Sequence, residues 1–97
     1  MHVLVLGVEI HIPAAQSLKS KRSVVLSLVR QLDQLHGVAA AEVDHLEVWQ
    51  RSTIGVSIVG GEVSHVQSVA DSVDRLVWSQ PEVEVINVDR SWWDNAN

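Results

Sequence analysis

The spacing of apolar residues changes along this chain in an order that few folds can satisfy. Residues 2–12, HVLVLGVEIHI, alternate as a strand does: Leu4, Leu6, Val8, Ile10 and Ile12 share one side, Val3, Val5, Gly7, Glu9 and His11 the other. From about Lys21 to Leu35 the spacing turns helical, with Val25, Leu28, Leu32 and Leu35 on one stripe. Ser20 is the expected N-cap and Gly37 the stop. Strands are predicted over Val38–Val43 and Ser52–Val59, the latter setting Ile54, Val56 and Ile58 against Thr53, Gly55 and Ser57. Gly60-Gly61 breaks that run, and a second helix follows from about Glu62 to Trp78 with Val66, Val69, Val73, Leu76 and Val77 inward. Pro81 closes the turn into a last strand, Val83–Asp89, where apolar parity shifts between Val85 and Ile86 and predicts a bulge or burial on both faces.

The order β-α-β-β-α-β predicts an α+β, ferredoxin-like split β-α-β fold. Its strands should run 4-1-3-2, each antiparallel to its neighbours, with two helices on one face and the other face bare. Residues 1–90 form the expected domain, and residues 91–97, SWWDNAN, read as a C-terminal tail.

At 97 residues the chain is long enough for one domain with a thin core. All four aromatics are Trp, so that core must be aliphatic. The absence of Cys excludes thiol chemistry and fits a cytoplasmic setting. The opening run carries Glu9 and His11 and is too short to span a bilayer, so it reads as a strand and not as a signal or anchor. A net charge of −5 makes non-specific binding to DNA or a membrane surface unfavourable, leaving only a local basic cluster for nucleic acid.

The predicted topology gathers the unusual polar residues at one end of the sheet. Strands 1 and 2 finish there, and helix 1 and strand 3 begin there. That rim should hold His11, the Pro13–Lys19 loop, Lys19, Lys21, Arg22 and the whole Asp44–Arg51 connection. Glu9, His11, Arg51 and Thr53 should share the outer sheet face by parity.

Two segments carry a wider resemblance: HIPAAQSLKSKR at 11–22 and AEVDHLEVWQR at 41–51. With them, the sequence from about Val3 to Arg90 resembles the YlxP-like family of small bacterial proteins, a domain of unknown function. The resemblance implies a ferredoxin-like fold, a bacterial cytosolic setting, and genes lying near those for translation initiation factor two and ribosome-binding factor A. It implies no established activity. The segment SWWDNAN does not match the family pattern.

Each candidate site has a functional and a structural reading. Lys19, Lys21 and Arg22 at a helix start suit a phosphate or an RNA backbone, or else form a solvated first turn paired with Asp44 or Glu47. Asp44, His45, Trp49, Gln50 and Arg51 suit a recognition loop. Otherwise Trp49 caps the core, Asp44 anchors a turn and Arg51 pairs with Glu9. His11 and His45 with Glu9 or Asp44 are acceptable ligand types, but their spacing matches no metal motif, and no metal or cofactor is expected. No nucleophile elbow, phosphate-binding loop or HExxH is present. The outward positions of strands 1 and 3 hold no aromatic, which disfavours base stacking on the sheet. A second copy of the chain, or Trp92 and Trp93 folding back, is expected to cover that face, with an edge strand as the other dimer surface. The functional expectation is a non-enzymatic binding protein that meets the ribosome or structured RNA at the basic rim. A small-anion-binding regulatory module is the alternative, and an enzyme using His11, His45 and Asp44 is the third reading.

Overall fold

A computed structural model describes residues 1–93. The elements follow the expected order: β1 His2–His11, α1 Leu18–Asp33, β2 Val38–Asp44, β3 Arg51–Gly60, α2 Val63–Trp78 and β4 Glu84–Trp93. The strands form one sheet in the order β2-β3-β1-β4, which is 4-1-3-2 counted from the opposite edge, and each pair is antiparallel. No helix among the described residues is long and apolar enough to cross a membrane.

One aliphatic layer fills the space between sheet and helices. Leu4, Leu6, Val8 and Ile10 of β1 and Ile54, Val56 and Ile58 of β3 meet Val25, Leu28 and Leu32 of α1 and Val66, Ala70, Val73 and Val77 of α2. Both helices therefore cover the same face. Each fully buried Val, Leu or Ile contributes roughly 1.5–3 kcal/mol, which is how a core without aromatics holds the fold.

The first helix starts earlier than its Ser20 suggested. Ser17 is the N-cap: its Oγ accepts the Ser20 N–H at 3.0 Å, while Ser20 Oγ accepts the Ser17 N–H at 3.2 Å. Ser20 thus takes the third helical position of a capping box, where Glu or Gln is usual. The bulge foreseen at Val85–Ile86 is present: Glu9 pairs with Asn87 but Ile10 with Val85, so Ile86 is the extra residue.

The tail reading fails for its first three residues. Ser91, Trp92 and Trp93 extend β4 and pair with Val5, Leu4 and Val3. The alternation of β4 carries on through them, setting Trp92 on the helix side, edge-on to the His2 ring at 6.4 Å between centroids, and Trp93 on the outer side. The outer face therefore does carry an aromatic, on an edge strand and not on the two central strands. Residues 94–97 lie outside the described residues.

Candidate functional site

The two segments expected to meet at the rim do meet. The Ile12 N–H donates to Gln50 O at 2.8 Å, and Gln50 Nε2 donates to Pro13 O and Ala15 O, both at 3.2 Å. The β1–α1 loop and the β2–β3 loop are thereby laced backbone to side chain. Gln50 is a positioning residue rather than a contact.

Lys21 lies beneath this lacing. It is fully buried, and its three ammonium protons find three acceptors: Glu42 Oε2 at 2.7 Å, His45 O at 2.9 Å and Leu46 O at 3.3 Å. Ser52, also buried, donates its hydroxyl to the same Glu42 oxygen at 2.7 Å. This removes Lys21 from the basic cluster read in the sequence. The reason is positional: Lys21 sits one turn ahead of Val25 on the buried stripe of Lys21, Val25, Leu28 and Leu32. Glu42 occupies the helix-side parity of β2, opposite Ile54. An ammonium in that place is tolerable only with every donor used. It is held as a strut for the loop and is closed to a phosphate.

Above the strut the loop turns sharply. His45 has φ +61, in the left-handed region, and Asp44 Oδ1 accepts the His45 N–H at 2.7 Å, the anchoring role expected of Asp44. The Val48 N–H returns to His45 O at 3.0 Å. The side chains left over point away from the core: Leu46, Val48 and Trp49 are all exposed, Trp49 to 54%. Trp49 does not cap the core.

Charges of both signs surround these apolar tips. Lys19 is exposed and makes no ion pair among the described residues. Arg22 approaches Glu47 at 3.8 Å with both side chains largely in water, so the contact contributes little. Arg51 stands opposite His11 in the register and Glu9 opposite Thr53, all on the outer face as parity required. No ion pair joins Arg51 to Glu9 among the described residues. His11 Nδ1 instead lies 3.3 Å from Glu84 Oε2.

The residues proposed for catalysis are not assembled. Asp44 is engaged with the backbone amide of His45 and His11 with Glu84, and no hydrogen bond joins the His11 and His45 rings to each other or to the Asp44 carboxylate among the described residues. No group of three His, Asp or Glu side chains among them is arranged to hold a metal ion. At the start of α1, the Ser17 and Ser20 N–H groups are taken by the capping box and the Lys21 ammonium is committed below. The expected anion pocket thus keeps only Lys19 and Arg22.

Comparison with known proteins settles the family. The profile described as "Protein of unknown function (DUF503)" matches residues 3–90. The chain belongs to the DUF503 family. "Uncharacterized protein YlxP" of Bacillus subtilis (strain 168) is 25% identical over 79 residues, covering 81% of this DUF503 chain and 86% of the relative. Among solved structures, a hydantoinase/carbamoylase family amidase from Burkholderia ambifaria superposes with a TM-score of 0.50 and 11% identity. It covers 94% of this chain but only 28% of the amidase, a likeness of fold alone. A de novo designed protein with ferredoxin fold aligns over 100% of this chain and 89% of its own, with a TM-score of 0.48 and 10% identity.

Proposed function

We propose that this DUF503 protein is a non-enzymatic, cytoplasmic binding protein that docks through its β2–β3 rim on the ribosome or an RNA-maturation assembly. The observation that carries the reading is the construction of that rim. A buried lysine and Gln50 fix the loop from below, while Leu46, Val48 and Trp49 are held out in solvent. Exposed apolar side chains on a pre-ordered loop bind without first losing conformational freedom. Trp and Arg are the residue types enriched in interface hot spots, and the loop ends on the exposed Trp49 with Arg51 two positions on.

With Lys21 withdrawn, the rim segments keep the cations Lys19, Arg22 and Arg51 and carry the acids Glu47, Asp44 and Glu9, Glu47 lying 3.8 Å from Arg22. That mixture favours contact with a protein component of the assembly over a run of phosphates. Co-sedimentation with ribosomal subunits tests the reading. Trp49→Ala should weaken binding by more than about 2 kcal/mol, roughly 30-fold. Lys19→Glu/Arg22→Glu/Arg51→Glu should weaken it with only a shallow salt dependence, whereas a steep one means contact with the RNA backbone. Lys21 stays unaltered in these variants because its loss damages the fold. Wild-type protein that fails to sediment with subunits, or variants that sediment as wild type does, would overturn the proposal.

A further inference from the structure

The sheet face opposite the helices is bare, and it divides into two halves. Toward the rim it is polar, with Glu9, His11, Arg51 and Thr53. Away from the rim it is mainly apolar: Val5, Val43, Val59 and Trp93 are each at least 41% exposed, beside Ala39 and Ala41, with the hydroxyls of Ser57 and Ser91 among them and Asp89 on the β4 margin next to Gly7. A shallow trough of about 310 Å³ runs over Val5, the β2 alanines, Val43 and Gly55.

We infer that a second copy of this chain covers this face, the two sheets stacking about a two-fold axis that runs along the strands. The available area suits a dimer. Strands of ten residues, at ~3.4 Å per residue and ~4.8 Å between strands, give a face of roughly 600 Å² per copy, or about 1,200 Å² for the pair. That reaches the lower bound of specific interfaces, about 1,200 Å². Only an axis along the strands lays apolar half on apolar half over the whole face; an axis across them overlaps half of it. The same axis sets β4 of one copy over β2 of the other, so Ser91 falls above the partner's Ala39 and the bulk of Trp93 above the start of the partner's β2, next to Gly37. Aligned sheet packing in sandwiches has this geometry.

Two further details favour stacked faces over joined edges. On the β2 edge, the Ala40 N–H, a donor that edge pairing would use, is already taken by Asp33 Oδ1 at 2.9 Å. At the centre of the face, Gly7 and Gly55 are direct cross-strand partners. Gly7 has no positive φ, and a Cβ there would meet nothing within 4 Å. One copy alone gives no reason for glycine at that position, which weakens a strand unless another backbone comes close. In the stacked pair, Gly7 lies over the partner's Gly55, which the partner's Val43 already covers, its Cγ1 2.9 Å from where a Gly55 Cβ would stand, so the open Gly7 makes room for that side chain.

Sedimentation velocity on the full chain tests this, from about 1 µM to 100 µM, where an interface this small should assemble. Wild-type protein should sediment at twice the 10.7 kDa mass of one chain. Ala41→Glu sets a buried carboxylate against the partner's Asp89 and should weaken association at least about 100-fold. Gly7→Val should stay folded by circular dichroism yet run as a single chain. Trp49→Ala should remain dimeric, which separates this interface from the rim proposed above. A wild-type protein at single-chain mass throughout, or a dimer that survives both face variants, overturns the inference.

Discussion

Lys21→Met tests the strut beneath the rim, because it removes the ammonium and keeps a stem of similar length. Glu42 Oε2 then retains only the Ser52 hydroxyl, His45 O keeps only the Val48 N–H, and Leu46 O loses the Lys21 donor. Breaking a buried ion pair from one side costs about 3–5 kcal/mol. The Glu42 side chain is 12% exposed and can turn partly toward water, which places the cost near the lower end, about 3 kcal/mol. Against a total of about 5–15 kcal/mol for a domain, that is a large fraction. At ~4–8 °C per kcal/mol for a chain of this size, Tm should fall by about 12–24 °C. Urea and thermal melts at one fixed protein concentration measure both quantities. Lys21→Met/Glu42→Leu should recover part of the loss, since an apolar pair can replace a buried ionic one. A Lys21→Met protein within about 0.5 kcal/mol of wild type would refute the assignment of Lys21 as a structural strut.

Two other perturbations probe the frame around the rim. Gly37→Ala places a side chain at φ +77 with its Cβ 2.6 Å from Val59 O, so it should cost more than the ~1–2 kcal/mol of a left-handed residue alone, read from urea midpoints. Truncation after Arg90 removes the pairing of Ser91–Trp93 with Val3–Val5 and should destabilise by about 2–3 kcal/mol, whereas an unchanged Tm would restore the view of these residues as a tail.

The alternation of β1 and β3 and the two helical stripes were enough to order the strands and bring the two polar segments to one end. The misreadings came from treating charge as a sign of exposure. Lys21 is spaced i, i+4, i+7 from Val25 and Leu28, Glu42 shares parity with Val38 and Ala40, and Ser52 with Ile54 and Val56. Three polar residues at apolar positions of three elements are the mark of one buried network, and spacing alone could have exposed it. The start of α1 was displaced because two serines three residues apart each suit an N-cap, and only the reciprocal bonds decide between them. Ser91–Trp93 reads as part of a tail because Arg90 interrupts the apolar alternation. In the fold, Arg90 reaches α2 and meets Asp71 at 3.0 Å, so the strand passes through it. The exposure of Leu46, Val48 and Trp49 depends on where the strut fixes the loop, which no local pattern encodes.

Hydrogen exchange of the full chain, alone and with purified ribosomal subunits, tests the role of the rim most directly. Added protection at the amides of Leu46–Arg51, with α2 unchanged, is the predicted result. Protection confined to α2 or absent from the chain would contradict it.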